Sequence, residues 1–538
     1  MEIKEISVPL QGVVADYMKD SKEIQAYFDY PLTEDGFRQR LHDLRDKQYF
    51  RQDLVAHLLQ YNTNLHAGDH TLRNIQALAD ENTYVVVGGQ QAGLLTGPLY
   101  TVHKIISILQ LAKEKEATLG VRVVPVFWIA GEDHDIDEIN HVFVTKNKKI
   151  KKTIFHDRHP KNASASESAL SIEDCKKWIE EIFKTYPETN FTKDVLQFVE
   201  DALQQSHTYV DFFARLIMKL FADSGLILVD SHHPALRKLE VSFFKQIVSC
   251  YKEVQAGLQN QQQLLREQGY KPIIETKHSA VHIFMQIDQE RVLLEEENGQ
   301  FVGKDGVYSF SYEELIEEME KNPERFSNNV VTRPLMQEYV FPTLAFIGGP
   351  GEIAYWSELQ QVFHAFGFQM PPVVPRLTIS YMERDIATDL QDLQLQESDP
   401  FLNDMDMLRE KWLSNQGEEP IDCQFTEATE RIVALHTSLQ QFVSKVDPGL
   451  QQFSKKNEQK IIEQLQLLER TLKRNIEKKH EVELNKFRRL QYALRPLGAP
   501  QERVWNICYY LNQFGLDFVE RVMKQSFAWD GKHHIIKL

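Results

Sequence analysis

The sequence predicts an α/β protein: a Rossmann-like parallel-sheet core with inserted connecting segments, followed by a C-terminal antiparallel α-helical coiled coil. Three observations carry this expectation. Five short apolar runs, 84–87, 123–129, 226–229, 344–347 and 373–374, are continuous rather than alternating, as in strands covered on both faces. Helical periodicity lies between them, which is the pattern of parallel strands joined by crossovers. After Arg376 the periodicity changes to heptads.

Taken in order, Phe37, Leu41, Leu44, Phe50, Leu54, Leu58 and Leu59 predict a helix over 37–60. The first strand breaks into Gly88-Gly89. Ile105, Ile106, Leu109 and Leu111 predict the helix that leads to the second strand. The stretches 142–222 and 240–340 are too long for simple crossovers and read as insertions, with a basic strand-like piece at 146–155 and an acidic helix at 312–320. Ile386, Leu390 and Leu393 open the helical part. Ile432, Leu435, Leu439, Phe442 and Val446 then form a 3,4,3,4 seam that ends at Asp447-Pro448-Gly449, a turn. Ile461, Leu465, Leu468, Leu472, Ile476, Leu484 and Phe487 form the returning seam, so the two should pair as an antiparallel coiled coil. A last helix is expected through Trp505, Tyr509, Leu511 and Phe514, before the apolar Ile535-Ile536. The expected domains are a core at 1–385, a coiled coil at 386–500 and a segment at 501–538 that packs back on the core.

Composition narrows the function classes. The chain has 538 residues, 42% hydrophobic and 26% charged, which excludes wholesale disorder. No run approaches the roughly 18 apolar residues of a membrane span, and MEIKEISVPL is not a secretory signal. The net charge of −17 argues against a broad nucleic-acid surface. Residues 451–490 run against that balance with eleven Lys/Arg and six Glu, either a solvated helix face or an arm that helps hold an anion. Cys175, Cys250, Cys423 and Cys508 are dispersed, so no cysteine-based zinc site is predicted, and a reducing cytoplasm is the expected compartment.

Four segments could carry chemistry, each at the end of a predicted strand. Val87–Lys104, VGGQQAGLLTGPLYTVHK, brings Gly88, Gly89 and Gly97 beside Gln90, Gln91, Thr96 and His103. Its glycines allow close backbone approach to an anionic ligand, although a tight strand–helix turn would also use them. It is neither a P-loop nor GxGxxG. Residues 131–141 hold five carboxylates and two histidines. Glu132, Asp133 and Asp135 suit an amine, with His134 as acid or base, while a helix-start role accounts for Asp133 and Asp135 equally. HExxH spacing is missing for a metal. The third segment, Ile347–Trp356, supplies Gly348, Gly349 and Gly351 as backbone donors to an anion and Tyr355 as a wall. The fourth, Val373–Ser380, supplies Arg376, Thr378 and Ser380.

The stretch Thr96–His103, TGPLYTVH, resembles the signature of class I aminoacyl-tRNA synthetases and related nucleotidyltransferases. Tyr100 stands where the first histidine would be, Val102 where the glycine would be, and His103 matches the second histidine. Arg376, Thr378 and Ser380 occupy the place of that superfamily's mobile phosphate loop without matching its sequence. Over the whole chain, GGQQAGLLTGP at 88–98, WIAGEDHDIDEIN at 128–140, VTRPLMQEYVFPTLAFIGGPGEIAYW at 331–356 and PRLTIS at 375–380 resemble the bacillithiol biosynthesis cysteine-adding enzymes of low-GC Gram-positive bacteria. The resemblance implies a ligase that joins L-cysteine to glucosaminyl-malate, the last step to bacillithiol, in a homodimer held by the coiled coil. ATP or another nucleotide would activate the carboxyl as cysteinyl-adenylate, with no metal beyond Mg accompanying the nucleotide. His103, with the GGQQ/TGP loop, is then expected at the activated carboxyl or phosphate, and Arg333 and Arg376 at the malate carboxylates. The alternative is a nucleotide-binding scaffold that recruits partners and performs no chemistry, favoured by Tyr100 and Val102 in the altered signature.

Overall fold

The computed structural model of the protein describes residues 1–19, 21–156, 163–288, 290–304, 306–416 and 421–538. Part of the 142–222 insertion, at 157–162, therefore lies outside the described residues. The chain forms two compact units. One comprises Lys4–Ser380 with Glu502–His534, and the other Met1–Ile3, Tyr381–Gln501 and Ile535–Leu538.

The larger unit is built on five parallel strands: β1 Thr83–Gln90, β2 Arg122–Ile129, β3 Ile227–Asp230, β4 Thr343–Gly348 and β5 Val373–Pro375. Four of them contain a whole apolar run, and β3 holds all of the fifth but Leu226. Their spatial order is 3-2-1-4-5, so the direction of winding reverses between β1 and β4. Val85, Val86, Val87, Val124, Val126, Phe127 and Ile347 are wholly buried, as strands with helices on both faces require. The register places Gly89 opposite Trp128 and Gly348 opposite Pro375, so the strands end together along one edge. Open sheets of this kind bind ligands at that edge, at the reversal.

The helix Leu99–Leu119 returns the chain from β1 to β2 and ends on Gly120 with φ of 67°, a left-handed conformation that suits glycine. The 37–60 expectation resolves into two helices, Glu34–Arg45 and Arg51–Asn64. Thr33 caps the first by accepting the Gly36 amide, and the apolar spacing skips from Leu44 to Phe50, which leaves no continuous face. Among the described residues, the insertion before β3 holds a hairpin, His141–Lys146 with Lys149–Ile154, and three helices. The one before β4 holds an antiparallel five-stranded sheet in which Ala280–Ile287 is paired by Glu290–Glu297 and Phe326–Asn328. The expected acidic helix is Tyr312–Lys321, with a Ser311/Glu314 capping box. Trp505 precedes the helix expected through it, Ile507–Phe514, because Asn506 caps that helix.

The smaller unit contains the helical hairpin Ile421–Val446 and Gln451–Lys479, joined through Pro448–Leu450. The two helices pair, but along only part of each heptad seam: Ile432 on the first helix and Leu465 and Ile476 on the second are half-buried, while most of the other seam residues are exposed. Phe425, Ile432 and Val443 are half-buried and His436 is buried, facing a mixed row that includes Gln440 bonded to Glu458 at 2.7 Å. Leu435, Leu439, Phe442 and Val446 lie on the neighbouring stripe and are exposed, Phe442 by 65% and Val446 by 69%. Leu468 and Leu472 on the returning helix are exposed as well. Among the described residues, no helix is long and apolar enough to cross a membrane.

Candidate active site

A cavity of about 410 Å³ opens at the C-terminal ends of β1 and β4, at the reversal of strand order. β1 contributes Gly89 and Gln90, with Gln91 just beyond it, and β2 contributes Trp128, with Ala130 just beyond it. The helix Pro350–Trp356 that follows β4 contributes Gly351, Glu352 and Tyr355, and its N-cap Gly349 also lines the cavity. Arg333 and Gln337 enter from the helix Arg333–Val340, and Arg376 follows β5. Tyr100, Lys104 and Arg503 complete the polar lining.

Eight of the sequence-predicted residues meet here: Gly89, Gln90, Gln91, Arg333, Gly349, Gly351, Tyr355 and Arg376. Gly89 is at this place for a steric reason, since a Cβ on it would lie 2.6 Å from the Trp128 carbonyl oxygen. Lys104, wholly buried along its stem, donates to the Gly89 carbonyl at 2.8 Å and to the Glu352 carboxylate. Burial holds its ammonium pKa below the ordinary lysine value, with Glu352 acting in the opposite direction. Arg333 makes one side-chain hydrogen bond among the described residues, to the Tyr355 hydroxyl at 3.2 Å.

The other predicted residues lie elsewhere. His103 faces the core one position from Lys104, because successive helical residues point about 100° apart. Its Nδ1 pairs with Glu502 at 3.0 Å, and burial pushes its pKa down while Glu502 pushes it up. Glu132 turns away to Ser231 and to Arg237 at 3.2 Å. His134 packs on Phe284 and meets Arg291 at 3.2 Å; burial, then Arg291, lowers its pKa. Asp135 is exposed and does not line the cavity. Asp133 stands behind the lining, where it accepts from Gln91 at 3.2 Å. Gly88 is pressed between Ile108 and the Ile347 carbonyl, and Gly348 lies against Val373. Thr96 and Gly97 sit in a buried loop with φ of 74° and 69°, held by Asn506 through the Leu95 and Gly97 carbonyls. Thr378 is absent from the lining, and Ser380 bonds His533 at 3.0 Å. Val102 is wholly buried and does not reach the cavity.

Two family models match this chain end to end. Residues 1–377 match the N-terminal Rossmann-like domain of bacillithiol biosynthesis BshC, and residues 379–538 match its C-terminal coiled-coil domain. The chain belongs to the BshC family. A Bacillus mycoides (strain KBAB4) protein named "Putative cysteine ligase BshC" is 80% identical over 538 residues, the full length of both chains. Proteins of the same name from Bacillus thuringiensis (strain Al Hakam) and Bacillus cytotoxicus (strain DSM 22905 / CIP 110041 / 391-98 / NVH 391-98) are 78% identical, also over the full length of both.

Within this BshC fold the cavity is cationic. Lys104, Arg333, Arg376 and Arg503 line it, against Glu352 as the lining carboxylate. Arg376 is tied to Glu502 by two bonds of 2.7 and 2.6 Å. Burial works to raise the Glu502 carboxyl pKa, but Arg376 and His103 hold it far below the usual carboxylate range. Arg503 is exposed and has no hydrogen bond or ion pair among the described residues. Glu502 and Arg503 come from about four hundred residues beyond β1, and no local pattern in the sequence marks them.

Proposed function

We propose that the protein is a cytoplasmic ligase that joins the carboxyl group of L-cysteine to the amine of glucosaminyl-malate, completing bacillithiol, with ATP as the candidate activating nucleotide. The observation that carries this reading is the cavity at the β1/β4 reversal, with four lining cations against Glu352. Such a site suits a substrate with two carboxylates beside a phosphate-bearing group, since paired N–H donors bind both kinds of oxyanion. The relatives' name supplies the cysteine and the joining reaction.

An amide does not form from a carboxylate and an amine unaided, and the nucleotide supplies the leaving group that makes the carboxyl reactive. Lys104, Arg333, Arg376 and Arg503 fit its phosphates as well as the malate carboxylates. The chain's own part is to hold the reactants together and to neutralise charge as the leaving group departs. The amine belongs at the Gln90–Gln91 side, where Gln91 is backed by Asp133 and Glu352 faces the same space. His134 communicates with that side through Asp133, 4.0 Å from its Nδ1.

The coiled coil is proposed to hold a homodimer. The exposed stripe Leu435, Leu439, Phe442 and Val446 is long, apolar and turned away from the hairpin's own partner helix. The functional reading is tested by thiol analysis of a strain lacking the gene. Loss of bacillithiol with accumulation of glucosaminyl-malate, reversed by the wild-type gene, is expected; unchanged bacillithiol overturns it.

A further inference from the structure

The guanidinium of Arg376 has two edges that can take an oxyanion, and the protein uses only one. Nη1 and Nη2 together face Glu502, at 2.7 and 2.6 Å, and the second Nη1 hydrogen goes to the Leu377 carbonyl at 3.0 Å. Glu502 is fixed in turn by His103 Nδ1 at 3.0 Å, and Arg376 by its own backbone amide on the Gly348 carbonyl at 2.8 Å. The remaining edge consists of Nε–H and the second Nη2 hydrogen, which are parallel and coplanar. Neither has a protein partner among the described residues, and Nε is not among their buried, unsatisfied atoms. A Cβ placed on Gly349, a lining residue, would lie 3.9 Å from Nε. The free edge therefore faces the cavity.

We propose that Glu502 is a positioning residue: by occupying one edge of Arg376 it presents the other, as a fixed two-donor fork, to a planar pair of oxygens on the bound oxyanion. This deepens the ligase reading and rests on it for the identity of the substrate. A lysine could supply charge at 376 but not a fork, and an arginine without Glu502 could rotate its guanidinium and lose the alignment. The oxyanion is either a carboxylate of glucosaminyl-malate or a phosphate of the nucleotide, since both offer two oxygens at the right spacing.

The test is a double-mutant cycle read by calorimetric titration of the full-length protein. Wild type, E502Q, R376K and E502Q/R376K are each titrated with glucosaminyl-malate and, separately, with inorganic pyrophosphate. At least one ligand is expected to bind E502Q about tenfold more weakly than wild type. E502Q is expected to add nothing once Arg376 is lysine, because it acts through Arg376. Coupling in the glucosaminyl-malate titration assigns the fork to a carboxylate, and coupling in the pyrophosphate titration assigns it to a phosphate. Unchanged affinity of E502Q for both ligands, or effects that simply add, overturn the proposal. If wild type ignores glucosaminyl-malate but the cycle couples for pyrophosphate, the substrate reading fails and the fork stands. Thermal unfolding of each variant accompanies the titrations. Should E502Q melt more than a few degrees below wild type, E502D, which keeps the charge, carries the cycle, and partial recovery of affinity is expected.

Discussion

Lys104 and Gly349 share one oxygen of Glu352: the lysine ammonium donates to Oε2, and the glycine amide donates to the same atom at 2.7 Å. Lys104 stands on the helix that follows β1, and Gly349 caps the helix Pro350–Trp356 that follows β4. The shared carboxylate thus ties together the two strand ends between which the cavity opens. Replacing Lys104 by Met is expected to abolish ligation to below about one hundredth, since a lining cation and the Glu352 contact go together. It should also destabilise the fold by about 1–3 kcal/mol, because the carboxylate keeps only part of its compensation. K104M/E352Q should regain part of that stability but no activity. Urea unfolding beside product analysis separates the two effects.

Arg333 has only the Tyr355 hydroxyl as a side-chain hydrogen-bond partner among the described residues, so its charge is available to a ligand. R333M should raise KM for glucosaminyl-malate by about tenfold or more, the value of a charge-assisted hydrogen bond. Its melting temperature should shift little. Y355F should change KM only a few-fold. An R333M enzyme with unaltered kinetics would remove Arg333 from substrate binding.

Acid should unfold the protein in a defined window. His57, His282 and His533 are held down to about 4, in each case chiefly by burial. The buried His282 ring is held by hydrogen bonds to Gln255 at 2.7 Å and Asn329 at 3.0 Å. The unfolded chain protonates near 6.5 and the folded one near 4, so protons bind the unfolded state more tightly between these values. Stability is therefore present above about pH 6.5 and lost as pH falls towards about 4, with a slope on the order of 4 kcal/mol per pH unit near pH 5 if all three act together. Urea midpoints at pH 7, 6 and 5 measure this, and a flat profile would contradict it.

The exposed heptad stripe makes a prediction about assembly. Wild type should sediment as a dimer at micromolar concentration, and L439K/F442E should sediment as a monomer with its helical content unchanged. A wild-type monomer across that range would leave the stripe without its proposed partner.

Much of the sheet was legible because doubly covered strands must be continuously apolar, and each of the five runs is. The glycines at the ends of β1 and β4 were legible for a similar reason, since close backbone packing such as Gly89 on Trp128 leaves glycine no substitute. The facing of side chains within those segments was not. His103 attracts attention as a histidine, but a rotation of one helical residue gives the cavity Lys104 instead. Glu132 and His134 sit in an acidic loop at a strand end, yet they are taken up by Arg237 and Arg291, from the helix after β3 and from the insertion before β4. The heptads were legible as an apolar stripe but not as an outward one, because a helix with two neighbouring stripes does not say which faces its hairpin partner.

The central claim is that the cavity between β1 and β4 joins cysteine to a sugar amine. Its most direct measurement incubates purified protein with L-cysteine, glucosaminyl-malate and ATP, following AMP, ADP and amide product by mass spectrometry, beside R333M and K104M. Bacillithiol formed in step with one nucleotide product by wild type, and lost in both variants, is the predicted result. Amide formation that survives in both variants, or wild-type protein that forms no amide, would contradict it.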